Sequence, residues 1–344
     1  MVGLVFLCLY TYIITENFIP PFISTEDITG PTAGLGFYHA KHTNESGHTD
    51  VAYIWEIGGS TQLSELIAVP ITPQRIHTAI AVIVLDASAP VAALQIGAAW
   101  CRLLTERVDA CIEKLQAKQP AAVTQIRQAT RARLCQATGA DAPADEGATQ
   151  PLAIPTLIVA QHWDALRDAP SAQQQLVAGA LRTLAHSYGA GCMACSTKDA
   201  STISHVRAWL AARIFAAEKA PAVPVQTGAY EPCSVVEGAD SFAAMPAPPG
   251  SAVASAWPSS ASAWLDALRS HWPSSAAAPA ELTPAGTGAA STDAAAWAEP
   301  AVDEAVQQRA EARARYAREA ERRLKAEARA AAAADAKRKK KRAA

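Results

Sequence analysis

Two short stretches carry residue types that could do chemistry. The first is Trp55-Glu56-Ile57-Gly58-Gly59-Ser60, which closes an apolar, β-rich run. An acidic residue at the end of a predicted strand, followed almost at once by two glycines, sets a carboxylate at the strand's carboxyl edge beside a tight turn. Open α/β sheets place their ligand sites there. In a nucleotide-hydrolysing switch such a carboxylate handles magnesium, a glycine amide faces the terminal phosphate, and a following glutamine orients the attacking water. Glu56 and Gly59 fill the first two roles by type, and Ser60 stands where the glutamine would be. A plain Gly-Gly turn is the alternative reading of the same residues.

The second stretch is split between two loops. Asp164, in Gln161-His162-Trp163-Asp164, sits where the Asp of an N-K-x-D box reads a guanine edge, with His162 at the lysine position. Ser196-Thr197-Lys198 resembles the S-A-K box that supports such a base. A nucleotide site also needs G-x-x-x-x-G-K-[ST], whose amides and lysine hold the phosphates. That motif occurs nowhere in the 344 residues. The sequence therefore predicts a switch-like scaffold that is not an enzyme and holds no cofactor; GTP would enter only if a phosphate loop precedes Pro31. Metal is not expected. His39, His42 and His48 match no ligand spacing, and Cys192-Met193-Ala194-Cys195 has no second pair and reads as core.

These loops must be positioned by a sheet. Residues 36–42 and 51–56 form a predicted hairpin around the polar turn 43–48. Residues 79–87 are a continuous apolar run closed by Asp86, the mark of a strand buried on both faces. Helical spacing covers 92–118, with 125–134 as an extension, before a polar break at 139–150. A strand at 156–160, a helix at 172–188 stopped by Gly189, a strand around 192–195 and a helix at 203–216 complete the order. Strand, loop and helix in repetition predict a doubly wound parallel sheet. Its carboxyl edge would carry Glu56, Asp164 and Ser196 on one rim.

Composition bounds the rest. Seven scattered cysteines argue for reduced thiols in a cytosolic protein. The formal net charge of −2 hides an asymmetry, since residues 301–344 hold fourteen Lys and Arg against seven Asp and Glu. An acidic body with a basic tail excludes a nucleic-acid-binding domain and points the tail toward an acidic partner. Residues 1–14 are almost wholly apolar, too short to span a bilayer and without the leading positive charge of a signal peptide. Three readings of this run stand side by side: a cryptic targeting segment, a first strand of the domain, or a start foreign to the mature protein. Residues 251–297 are rich in Ala, Ser and Pro, and within them 261–272 form a predicted amphipathic helix bearing Trp264, Leu268 and Trp272. That helix either docks on a partner or folds back on the body. Residues 302–341 predict a solvated helix with pairs such as Glu311 with Arg315, ending in the basic cluster 337–342.

Taken together, the residues resemble the light intermediate chains of cytoplasmic dynein, and among these the cytoplasmic dynein 2 branch. The carrying stretches are Ile54-Trp55-Glu56-Ile57-Gly58-Gly59-Ser60-Thr61, Leu66-Ile67-Ala68-Val69-Pro70-Ile71-Thr72 and Val82-Ile83-Val84-Leu85-Asp86-Ala87-Ser88. Leu181-Arg182-Thr183-Leu184-Ala185-His186-Ser187-Tyr188-Gly189-Ala190 and Gly238-Ala239-Asp240-Ser241-Phe242 follow. The likeness runs over residues 31–273. It implies an α/β Ras-like, P-loop NTPase-type sheet whose phosphate loop is absent here, with Thr32 as a vestigial first-switch threonine. It also implies a non-motor subunit that binds the dynein 2 heavy chain alongside other dynein 2 subunits. Such a subunit would serve retrograde intraflagellar transport trains on microtubules in cytoplasm, cytoskeleton, basal body and cilium or flagellum. The expected organisation is an atypical apolar N-terminus (1–30), a degenerate small-GTPase-like domain (31–221) and a docking extension (222–273). A low-complexity linker (274–301) and a charged basic helix (302–342) follow, with a disordered Ala-rich and helical basic tail and no transmembrane span.

Overall fold

The computed structural model describes the backbone of residues 5–9, then residues 34–43, 47, 49–58, 61–215, 223–228 and 231–273, and scattered positions between 304 and 322. Thr32, Gly59, Ser60 and the basic cluster 337–342 lie outside the described residues. The chain divides into two units, residues 1–285 and 286–344. In the second, the described positions between Glu304 and Arg322 are helical and exposed.

The first unit is built on seven described strands in the order β2-β3-β1-β4-β5-β6-β7. These are β1 (Val5–Leu9), β2 (Leu35–Thr43), β3 (Thr49–Ile57), β4 (Ala79–Asp86), β5 (Thr156–Gln161), β6 (Gly191–Ala194) and β7 (Ser234–Val235). β2 and β3 form the expected antiparallel hairpin, whereas β3, β1, β4, β5 and β6 run parallel. The N-terminal run is therefore an interior strand: Phe6 stands opposite Ile54 on one side and Ile80 on the other. The boundary at Pro31 leaves out a strand that the sheet includes. Of the three readings of residues 1–14, the first-strand reading matches the topology. β3 and β4 carry apolar runs whose edges would otherwise end unpaired, and unpaired strand edges are costly inside a sheet.

The helices are α1 (Pro90–Lys118), α2 (Pro120–Gln136), α3 (Ser171–Ser187), α4 (Ala200–Ile214) and α5 (Ala261–His271). Residues 125–134 do not extend the first helix, as the sequence reading had it. Gln119 leaves helical geometry (φ −145°, ψ 70°) and Pro120 opens α2, because proline suits a first turn and breaks a helix interior. α4 starts where Asp199 accepts the Ser201 amide at 3.0 Å, an N-cap.

Alternation along β4 feeds two cores. Ala81, Ile83 and Leu85 join the cluster under α1, α3 and α5, while Ile80, Val82 and Val84 join the one that includes Val206, Trp209 and Leu210 of α4. Cys192 and Cys195, three positions apart, fall into different clusters, on opposite faces of the sheet. Period-two alternation thus explains why this pair is core and not a metal site; burial pushes the Cys195 thiol up to about 12.

The segment after β7 belongs to the body. Gly238 holds φ 75°, and a Cβ there would stand 1.9 Å from the Leu134 carbonyl oxygen at the end of α2, so only glycine fits this crossing. Two residues on, Asp240 accepts from both Nε and Nη2 of Arg182 at 2.8 Å. The Phe242 amide donates to Asp145 Oδ2 at 2.8 Å, which His186 Nε2 also meets at 2.9 Å. Gly-Ala-Asp-Ser-Phe is thus a clasp that ties the chain to α2 and α3.

Candidate functional site

The parallel strands deliver the predicted residues to one edge, in two groups. After β5 the chain turns through His162 in the left-handed region (φ 57°) into a short 3-10 turn, Trp163–Leu166, which aims Asp164 toward the loop after β6. Ser196 Oγ donates to Asp164 Oδ1 at 2.7 Å, and Lys198 Nζ pairs with Asp164 Oδ2. The Lys198 amide returns to Ser196 Oγ at 3.1 Å and fixes the loop. Asp164, Ser196 and Lys198 are therefore one cluster, as their motif types predict. It borders a cavity of about 370 Å³ that also touches Arg167, Asp199 and Pro232.

Glu56 belongs to the second group. It lies within β3, 3% exposed, opposite Gly36 of β2 and Cys8 of β1. Three strand spacings separate β3 from β5, roughly 14 Å at about 4.8 Å each. The Gly58 amide donates to the Gly34 carbonyl at 2.8 Å and closes this end of the hairpin.

Two features of the rim escaped the sequence reading. Asp86, taken there as the closing residue of a strand, meets His162 Nδ1 at 3.0 Å and accepts the Ser88 amide at 2.9 Å. The side chain at the lysine position thus faces a carboxylate of the neighbouring strand. Gln161, 1% exposed, keeps both amide atoms without a hydrogen-bond partner among the described residues. A buried glutamine ending an apolar run was the available signal.

The Lys198 ammonium, then the Ser196 hydroxyl, hold the Asp164 carboxyl below its ordinary value of 3.8. A depressed carboxylate stabilises the fold above its unfolded value, and the contribution is lost as pH falls through the folded one. The Asp164 contribution is thus complete above 3.8 and lost below it. Lys198→Ala is expected to raise the Asp164 titration midpoint in a carboxyl-carbon NMR titration, with little change in stability, because the Lys198 side chain is 74% exposed. An unmoved midpoint would mean that the lysine does not act on the carboxylate.

The three predicted docking residues are placed differently. Trp264 and Leu268 of α5 are each 1% exposed and lie in the core, with α5 packed on α1 and α3. Of the two readings of this helix, folding back on the body is the one seen, and these two side chains make intramolecular contacts. Trp272 remains partly exposed beside His271.

The sheet order, with antiparallel edge strands β2 beside β3 and β7 beside β6 and its loop pair around Asp164, defines a Ras-like, P-loop NTPase-type fold. It matches the crystal structure of the dynein light intermediate chain's conserved domain with a TM-score of 0.54 at 14% identity, over 82% of this chain and 93% of that one. At the level of sequence, the chain is similar to cytoplasmic dynein 2 light intermediate chain 1 of Danio rerio, 28% identical over 229 residues, and of Homo sapiens, 29% identical over 222. The protein of that name from Mus musculus is 28% identical over 230 residues. The resemblance to dynein 2 light intermediate chains drawn from the motifs is upheld. The matches span 64–66% of this chain and 60–63% of the relatives' length. No protein-family model matches the chain. Among the described residues no helix is long and apolar enough to cross a membrane.

Proposed function

We propose that this chain is a non-catalytic light intermediate chain of cytoplasmic dynein 2, which binds and stabilises the motor heavy chain for retrograde intraflagellar transport and cilium assembly. The observation that carries this reading is the joint match: similarity to three dynein 2 light intermediate chains on a sheet that also fits a light intermediate chain domain. The rim supports a scaffold more than a hydrolase. The first lysine of the chain is Lys41, so the sequence following β1 offers no lysine to a phosphate before β2. Both Asp164 oxygens already have partners within the protein.

The test is affinity purification of the C-terminally tagged chain from its own ciliated cells, with co-purifying chains quantified by mass spectrometry. A dynein 2 heavy chain in near-equal amount is the expected result. Recovery of the chain without any dynein subunit would overturn the reading.

A GTP-binding switch is the second reading, favoured by the intact Asp164, Ser196 and Lys198 cluster. Calorimetric titration of the purified chain with GTP and magnesium separates the two. The scaffold reading expects no binding heat at saturating nucleotide, and a stoichiometric, magnesium-dependent isotherm would establish the switch.

A further inference from the structure

At the amino edge of the sheet, opposite the rim, lies a groove of about 1020 Å³. It exists because the chain turns at Gln119-Pro120: the end of α1 forms one wall, the start of α2 the other, and the entries to β4 and β5 form the base. Ile76, Leu115 and Ile126 make its lining apolar. Among the described residues its charged lining is of one sign: Lys114 and Lys118 stand exposed on the last turns of α1, Arg133 and Arg213 reach it from α2 and α4, and no described carboxylate lines it.

Lys118 complements the negative end of a helix, which gives it a purely structural use. The arginines also stand in the last turns of α2 and α4, and Arg133 Nη2 donates to the Leu152 carbonyl at 2.9 Å. They share one buried carboxylate, Glu237, whose Oε2 accepts from Arg213 Nη2 at 2.8 Å and from Trp209 Nε1 at 3.0 Å. Arg133 Nε stops 3.8 Å from Glu237 Oε1, beyond hydrogen-bond length, and among the described residues both atoms are without partners. Arg133 is 8% exposed and remains cationic at neutral pH, burial pushing it down to about 10. Two guanidiniums against one carboxylate, with two lysines at the lip, leave an uncompensated positive field along an apolar trough. Low-dielectric walls strengthen that field.

Size narrows the occupant. Two turns of helix, about 11 Å long and roughly 10–12 Å across, fill on the order of 1000 Å³, as do four turns sunk to half their depth. We propose that this groove seats an acidic amphipathic helix of the heavy-chain tail, its apolar stripe on Ile76, Leu115 and Ile126 and its carboxylates toward Lys114, Lys118 and Arg133. The proposal rests on the subunit reading above and adds the surface and the chemistry of the contact. Helix-in-groove recognition of this kind reads apolar anchors at i, i+3, i+4 and i+7.

The test uses the full chain and the purified dynein 2 heavy-chain tail. Lys114→Glu with Lys118→Glu, both on exposed positions, is expected to weaken tail binding at least tenfold at low salt and to flatten its salt dependence, while Lys114→Arg with Lys118→Arg retains it. Zero-length carbodiimide coupling of the wild-type complex is expected to join Lys114 or Lys118 to aspartates or glutamates of the tail. Equal binding by the reversed variant, or coupling of these lysines only to a second copy of this chain, would overturn the groove while leaving the subunit reading intact. Failure of the wild-type chain to bind the tail would overturn both.

Discussion

Asp240→Ala is expected to destabilise the protein by about 3–5 kcal/mol, the loss that follows when one partner of a buried ion pair is removed. Arg182 and Asp240 are 6% and 7% exposed, and the guanidinium donates two parallel bonds of 2.8 Å to the carboxylate. Burial alone would lower the Arg182 pKa, yet the Asp240 carboxylate outweighs it and holds the guanidinium above its ordinary value. Without the carboxylate, a buried charge has no counter-ion. Against a domain stability of about 5–15 kcal/mol, such a loss is a large fraction of the whole. Urea unfolding followed by tryptophan fluorescence checks it through the midpoint at constant slope. Replacing both partners by leucine should recover most of the loss, because the desolvation cost goes with the pair. A single variant within about 1 kcal/mol of wild type would show that water reaches the guanidinium and that the clasp is not closed.

Trp264→Ala is the second large effect, also about 3–5 kcal/mol, as for other buried tryptophans. The side chain is 1% exposed and its ring rests on Gly179 of α3, where an added Cβ would lie 2.9 Å from the indole. Glycine there is a notch cut for the tryptophan. Thermal unfolding of the Trp264→Ala and Trp272→Ala variants, each alone, discriminates core from surface. A strong drop in Tm is expected for the first and a weak one for the second, since Trp272 is partly exposed. Equal, small effects would mean that α5 leaves the body readily and that its apolar face serves a partner.

These two sites show where the sequence reading ran out. Arg182 and Asp240 lie 58 positions apart, in stretches singled out only as points of likeness. Nothing in either stretch announces the other. For α5, the amphipathic pattern of Trp264 and Leu268 was legible, but periodicity specifies a face that must be covered and is silent on what covers it. The rim fared better. Asp164 and Ser196 each follow a strand of recognisable apolar type, and β5 and β6 are adjacent and parallel, so two local motifs meet. The Asp86 and His162 pair follows from the same adjacency of β4 and β5, yet a strand-closing Asp is too common a signal to be read as half of a pair.

What the sequence determined by itself is what local physics encodes. It set the alternation that divides β4 between two cores, the strand-loop-helix order, the proline and glycine positions that end helices, and the motif types on the rim. Tertiary structure alone decided the partners. It placed Val5–Leu9 between β3 and β4, turned Trp264 inward, closed the clasp at Gly238 over Leu134, and left two arginines sharing Glu237 beneath a groove. Propensity and periodicity act over a few residues, whereas burial and ion pairing depend on which distant segments arrive together.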